Sequence, residues 1–584
     1  MHIPLRCVPL LSLCLTRVLA DFLGPSYPAP SDLSSNESLV TASWRNITST
    51  LEKYLSDGNQ NTTPATVFGI QNVTFSIGMF SLHDSAATRL QFHYTSPEIK
   101  KSLNGTQKVD EDSIYRIASV TKVFTVLAGL LNLRSTDWDR ALTEVVPGLS
   151  KFSQAASTKG DAIYTVQWDK VTLSALAAQI AGVPRDGYPW DVGEVYLEAK
   201  AWGLPPLNTT LPPCFTSPEY AQNCPATPYV EGVEPFPPTF PPWAGPAYAN
   251  NGFILLGLAM SNITGKSFDQ LCRESIFGPL GMTSSSSSTP PEADWRRSVI
   301  TDEGFAVDAG IAVSSGGIFS TTRDLARFGV GILNSTLLPP DQTRKWMKPV
   351  SHTARLQYSV GRPWEILRYT HPSGTVTDIY TKLGDSGTSS SYLVLLPDYG
   401  AGFSILSASS DPGRLIHVVA IADLVANAII PALDAQAAAE AERKFGGVYS
   451  STSQGLNSTF TLSVDRSHGA APGLTISPWF SNGTDVLAQL AGEIGPPPYR
   501  LLPSNSDPKA RKVAFQLVGS VDAPISAAPP GLFLQSVAGD WNYAGLVTYD
   551  GTPLSLFVFD TAPDGRAVAG SPAAFGITLK REAA

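Results

Sequence analysis

The segment YRIASVTKVFTVLAGLLNL, Tyr115 to Leu133, decides how this chain is read. It places Ser119 and Lys122 three residues apart at the head of a long apolar run. A helix over this stretch puts both side chains on one face, within reach of each other. The pair is then either a nucleophile beside its base or the polar start of a buried helix. A second S-x-x-K, Ser506-Asp507-Pro508-Lys509, separates pattern from context, because it contains a proline and lies in the polar stretch PSNSDPKARK. Lys122 is instead followed by VFTVLAGLLNL. Burial there favours the neutral amine, the form that can take a proton from a hydroxyl. Four-residue patterns recur by chance, so the reading turns on partners elsewhere.

Two further stretches supply them. PAYANNGFILLG holds Tyr248-Ala249-Asn250 in loop-like sequence ahead of a helix. A tyrosine hydroxyl held by lysines relays a proton, and an asparagine amide holds a substrate carbonyl. YTKLGDSGTSSSYLVLLPDYG holds Lys382-Leu383-Gly384 on a strand-like run. The lysine adds positive potential, and the glycine is expected to let substrate approach the strand edge. Lys444-Phe445-Gly446 repeats the K-x-G pattern at a domain junction, out of context.

In order and kind, these elements resemble the S-x-x-K, Y-x-N and K-T-G of the serine β-lactamase and penicillin-binding-protein-like hydrolases. The likeness is greatest to the class C, D-alanyl-D-alanine carboxypeptidase and esterase branch. YRIASVTKVFT, SSGGIFSTTRDLARF and SYLVLLPDYGAGFSIL add to the likeness, which spans roughly residues 65 to 435. It implies an α+β fold, an antiparallel sheet flanked by helices plus a helical region. It also implies that Ser119 is the acylated nucleophile and Lys122 its base or proton shuttle. Tyr248 would assist deprotonation and later activate water, Asn250 would orient the acyl group, and Lys382 would anchor substrate. The backbone N–H groups of Ser119 and Asp385 would form the oxyanion hole. Leu383 departs from the family's threonine and removes a hydroxyl that often binds a substrate carboxylate. An ester or amide without that carboxylate fits better than a β-lactam or peptidoglycan.

The implied activity is a secreted serine hydrolase working through a covalent acyl-enzyme on a small-molecule or peptide-like acyl substrate. Interception of the acyl-enzyme by an alcohol or amine, as in an acyltransferase of natural-product biosynthesis, is the alternative within catalysis. A silent binding protein on the same fold is the alternative outside it. No cofactor is implied. Competing hydrolase signatures are absent or incomplete. Asp385-Ser386-Gly387-Thr388 matches an aspartic-protease loop but has no second copy. There is no G-x-S-x-G elbow and no H-E-x-x-H.

The chain has 584 residues and a net charge of −9. It lacks the basic stripe that nucleic acid or an anionic membrane requires, and nothing in it sets an oligomeric state. MHIPLRCVPLLSLCLTRVLA reads as a signal peptide ending at Ala20, with no later run of membrane-spanning length. Sequons at Asn36, Asn46, Asn61, Asn72, Asn104, Asn208, Asn262, Asn334, Asn457 and Asn482 agree with passage through a secretory lumen. Cys214 and Cys224 bracket a short loop and are the expected disulfide, leaving Cys272 as a buried thiol. No His/Cys cluster points to a metal.

Residues 21–64 read as an N-terminal extension with a helix around Ser43–Leu55. Phe68–Leu82 and Thr88–Ser96 alternate as paired strands, and Val171–Val183 reads as a second apolar helix. Asp186–Ala247, rich in Pro-Pro pairs, is expected to be an irregular lid-like insertion within a catalytic domain of residues 65–435. A helix around Leu433–Arg443 closes that domain. From Gly446 onward the texture is short alternating segments (STFTLSVD, GLTISPWF, KVAFQLVG, LSLFVFD), and residues 436–584 are expected to form an all-β, lipocalin-like or small-barrel domain. Together with the signal peptide and the Pro-rich insertion, this tail resembles the secreted fungal β-lactamase-related proteins.

Overall fold

The computed structural model describes residues 24–57, 64–149, 162–186, 202–205, 214, 224–234, 236–301, 303–451, 456–467, 469–491, 493, 497–519 and 545–583. The signal segment, Asn61, Asn208 and much of the Pro-rich insertion lie outside the described residues. The chain divides into two compact units. One comprises residues 30–368 with 378–436; the other comprises residues up to 29, 369–377 and 437 onward.

The larger unit is built on an eight-stranded antiparallel sheet. Its strands are β1 (Thr74–Ser81), β2 (Gln91–Tyr94), β3 (Ser351–His352), β4 (Tyr358–Val360), β5 (Glu365–Thr370), β6 (Val376–Ser386), β7 (Ser389–Leu396) and β8 (Ala401–Ala408). The order is β2-β1-β8-β7-β6-β5-β4-β3. β1 and β8 are buried along their whole length, which requires both faces of the sheet centre to be covered. The cover includes α4 (Thr322–Leu333), which lies so close that a Cβ on Gly329 would meet the Phe80 ring at 2.3 Å. Thr321 caps this helix, accepting from Asp324 N–H at 3.1 Å.

Helices α1 (Leu39–Asp57), α2 (Thr121–Asn132) and α3 (Asn250–Thr264) complete the scaffold. In α2 every residue from Thr121 to Gly129 is buried. A helix apolar on all sides must be surrounded by protein, and Phe124 stacks on Phe328 of α4 with centroids 3.8 Å apart. The expected Val171–Val183 helix is only Leu173–Ala177, because Gln179 turns left-handed at φ 59°. The Pro-rich insertion contains an eight-residue helix, Ala226–Val233, with Tyr229, Val230 and Val233 buried. Its Pro228 sits in the first turn, where a helix needs no N–H donor. Cys214 and Cys224 are joined as a disulfide, and Cys272 is a buried free thiol.

The expected Leu433–Arg443 helix is the end of the 32-residue α5, Arg414–Phe445. Contrary to the sequence reading, α5 is long and apolar enough to cross a membrane, with a mean hydropathy of 2.0 over its most apolar window. Its apolar stripe is used inside the protein: Val418, Ile421, Val425, Ile429 and Leu433 recur at helical spacing, all buried.

The smaller unit is a ring of antiparallel strands: β9 (Gly447–Ser450), β10 (Thr459–Val464), β11 (Leu474–Ser481), β12 (Thr484–Asp485), β13 (Arg500–Asp507), β14 (Lys512–Val518), β15 (Leu556–Thr561), β16 (Ala567–Pro572) and β17 (Leu579–Arg581). The order β10-β9-β17-β16-β15-β14-β13-β11-β12 is closed by β10 pairing with β11. The joints β9–β17, β16–β17 and β11–β13 hold only two residue pairs each. The sheet therefore closes as a ring rather than as an evenly paired barrel. Phe445, Phe460, Trp479, Phe515, Phe557 and Phe559 fill it.

Candidate active site

Ser119 lies in a 3₁₀ turn, Ala118–Val120, that runs into α2. Ala118 adopts φ 43°, a left-handed conformation that costs an alanine roughly 1 kcal/mol or more. The turn is held from three sides. Ile117 N–H donates to Ile318 O (3.0 Å), Ser391 Oγ on β7 donates to Ile117 O (2.7 Å), and Ile318 N–H donates to Thr121 Oγ1 (3.1 Å). Helix, sheet and the SSGGIFS segment thus fix one residue.

Lys122 is fully buried one helical turn from Ser119. Its Nζ lies 3.0 Å from Ser119 Oγ and donates to Asn250 Oδ1 (2.7 Å) and Ser315 O (2.7 Å). Burial, reinforced by the Lys382 charge, holds its pKa well below the ordinary lysine value. Tyr248 O–H donates to Ser119 Oγ at 2.7 Å. The ammonium groups of Lys122 and Lys382 stand 4.9 Å and 5.1 Å from the Tyr248 ring centre. Burial raises the Tyr248 pKa, opposed by Lys382 and the Ser119 hydrogen bond. The phenol is therefore protonated at neutral pH and acts as a donor.

Asn250 is the first residue of α3 rather than part of a loop. Its amide oxygen faces Lys122, and its Nδ2 donates to Asp186 (2.6 Å). Gln179 clamps both sides of Tyr248: its backbone oxygen accepts Ala247 N–H (2.8 Å) and its Oε1 accepts Ala249 N–H (2.7 Å).

β6 brings the third element alongside. Lys382 is buried, and its Nζ donates to Glu365 Oε1 (2.5 Å) and Leu383 O (2.7 Å). Gly384 has a different use from the one its sequence suggests. A Cβ there would lie 2.4 Å from Ile117 O, 2.4 Å from Ser391 Oγ and 3.1 Å from Ser119 N. The missing side chain lets the strand close on the Ser119 turn, not substrate on the strand. Leu383 N–H points away from β7, to Glu365 Oε2 at 2.9 Å. Alternate N–H groups of a strand face the same side, so Asp385 N–H points that way too. The Asp385 carboxylate is occupied by Arg414 (2.8 Å) and Ser390 (2.5 Å).

Ser119, Lys122, Tyr248, Asn250, Lys382, Gly384 and Asp385 therefore converge, although 263 residues separate Lys122 and Asp385 in sequence. The Ser506 and Lys509 decoy is exposed on and just beyond the end of β13. Sequence reasoning missed Asp186, Gln179, Ser315 and Glu365. SSGGIFS alone carried a signal, through its likeness to family text. Among the described residues no group of three His, Cys, Asp or Glu is placed to hold a metal ion.

A family model described as "Beta-lactamase" matches residues 91–427, more than half of the chain. The chain belongs to the β-lactamase family. A second model, described as "Beta-lactamase-like-like, C-terminal domain", matches residues 437–583, so the ring-shaped unit also has family relatives. A "Beta-lactamase-like protein" of Arthroderma benhamiae is 26% identical over 94% of this chain and 93% of its own length. The "Probable hydrolase clz13" of Cochliobolus lunatus is 26% identical over 85% of this chain and 84% of its own. The "D-alanyl-D-alanine-carboxypeptidase/endopeptidase AmpH" of Escherichia coli is 25% identical over 51% of this chain and 72% of its own length.

Proposed function

We propose that this β-lactamase-family chain is a secreted serine hydrolase that cleaves an ester or amide through an acyl-enzyme on Ser119. The observation that carries this reading is the hydrogen bonding of Lys122. A neutral amine has two hydrogens and one lone pair. Two acceptors, Asn250 Oδ1 and Ser315 O, take the hydrogens. The lone pair is left for the Ser119 hydroxyl 3.0 Å away. Burial favours the neutral amine. In that neutral form the polar surroundings aim the lone pair at Ser119 and orient a base.

In this reading the Ser119 proton passes to Lys122 as Oγ attacks the acyl carbon. The carbonyl oxygen becomes an oxyanion facing the N–H groups of Ser119 and Asp385. The leaving alcohol or amine takes its proton from the Lys122/Tyr248 pair. Water then attacks the acyl-enzyme and gives a proton to that pair, which passes it to Ser119 Oγ as the Oγ–acyl bond breaks and the acid leaves. The eight described sequon asparagines are all exposed, and together with the Cys214–Cys224 bridge they support a secretory route.

Ser119→Ala is expected to lower hydrolysis of p-nitrophenyl acetate by on the order of 10⁴-fold or more and to abolish labelling by a fluorophosphonate. Undiminished turnover in that variant would rule out the assignment.

A further inference from the structure

β6 outruns β5 by five residues. The turn between them is closed by His371 N–H donating to Thr375 O, so the end without a β5 partner is Lys382–Ser386. This open edge runs past the nucleophile, as the 3.1 Å from a Gly384 Cβ to Ser119 N shows. An extended acyl group lying there would seek the outward N–H donors of the strand. The first of them, at Leu383, is already taken by Glu365 Oε2 (2.9 Å). The other oxygen of the same carboxylate holds Lys382 Nζ at 2.5 Å.

Exposure decides which charge a substrate meets. The Lys382 side chain is 2% exposed and that of Glu365 is 20% exposed, so the carboxylate stands in front of the ammonium. On the Tyr248 side of the site Asp186, 15% exposed, accepts from Asn250 and pairs at 3.3 Å with Arg185, whose 67% exposed guanidinium stands 5.6 Å from the Tyr248 ring centre. Lys122 contributes no charge when neutral. With leucine at position 383, the strand offers an incoming anion no hydroxyl either.

We infer that Glu365 is a specificity-determining residue. It neutralises Lys382, occupies the Leu383 donor, and restricts the subsite along β6 to acyl groups without a carboxylate. The inference rests on the hydrolase reading above and adds the substrate class, a neutral ester or amide. Like-charge juxtaposition in a partly dehydrated site penalises an anionic acyl chain.

Two esters of equal chain length test it: p-nitrophenyl valerate, which is neutral, and mono-p-nitrophenyl glutarate, which ends in a carboxylate. Wild type is expected to prefer valerate by about tenfold or more in kcat/KM. Glu365→Gln should shrink that preference by about tenfold, chiefly through KM for glutarate. Glu365→Asp, which keeps the charge, should retain most of it. Fluorophosphonate labelling verifies that each variant is folded. An unmoved preference in a labelled Gln variant overturns the inference and leaves the hydrolase reading intact. If the Gln variant does not fold, the wild-type preference decides, and one below about threefold overturns the inference. Failure of Ser119-dependent cleavage of both esters overturns the hydrolase reading itself, and this one with it.

Discussion

Gly384→Ala adds a single methyl group at the closest approach between β6 and the Ser119 turn. The new carbon would lie 2.4 Å from both Ile117 O and Ser391 Oγ, where ordinary contacts begin near 3.4 Å. The shortfall is about 1 Å against each. Neither neighbour is free to yield. Ile117 O is backbone that accepts from Val120 N–H (3.1 Å) and from Ser391 Oγ (2.7 Å), so moving the serine breaks a bond to the other clashing atom. The strand and the turn must therefore separate by about 1 Å. Overpacking of this kind costs about 1–3 kcal/mol of stability. A 1 Å displacement of reacting groups costs about 10²-fold in rate. The variant should lose about 10²-fold in kcat on p-nitrophenyl acetate with little change in KM, and should melt a few degrees lower. Gly387→Ala is the control. It lies in the β6–β7 turn at φ 55° with open space around it, so it strains the backbone without touching Ser119. It should lose about 1 kcal/mol of stability and keep kcat within about threefold, since reacting groups stay in place. A Gly384→Ala enzyme with wild-type kcat, or one impaired no more than Gly387→Ala, would refute the close-approach reasoning.

Lys122→Met removes the buried amine, and its effect should depend on pH with a definite sign. Burial depresses the folded-state pKa of Lys122, so between that value and the ordinary 10.5 the unfolded chain binds a proton that the folded chain does not. Wild-type stability relative to Lys122→Met should therefore rise with pH through this window and level off above it; parallel unfolding curves from pH 7 to 11 would contradict the buried neutral amine. Gln179→Ala leaves Ala249 N–H without its partner beside Tyr248. It should cost about 1–3 kcal/mol and about tenfold or more in kcat, with KM nearly unchanged. A fall in stability without a fall in kcat would show that the clamp does not position Tyr248.

Several features were legible because their causes are local. α2 announces itself by an unbroken apolar run behind Ser119, and the strands of the ring-shaped unit by short alternation between turn residues. α5 was read only at its end, because Pro431 lies inside it and proline ordinarily marks a break. Its spanning length was therefore missed. The helix Ala226–Val233 was hidden by surrounding prolines, although its own proline occupies a first-turn position that tolerates one.

By itself the sequence named the candidate set, since S-x-x-K, Y-x-N and K-x-G pick out Ser119, Lys122, Tyr248, Asn250 and Lys382 by residue type and order. Only the tertiary structure decided what state those groups are in. Lys122 is oriented for the proposed base role because Ser315, 193 residues away, and Asn250, 128 residues away, accept its hydrogens in a buried site. Lys382 loses its free charge because Glu365, on the neighbouring strand, reaches it first. Gly384 is required by the carbonyl of Ile117 rather than by a ligand. Hydrogen bonding, burial and close approach are relations between distant segments, so no local pattern around any of these residues could carry them.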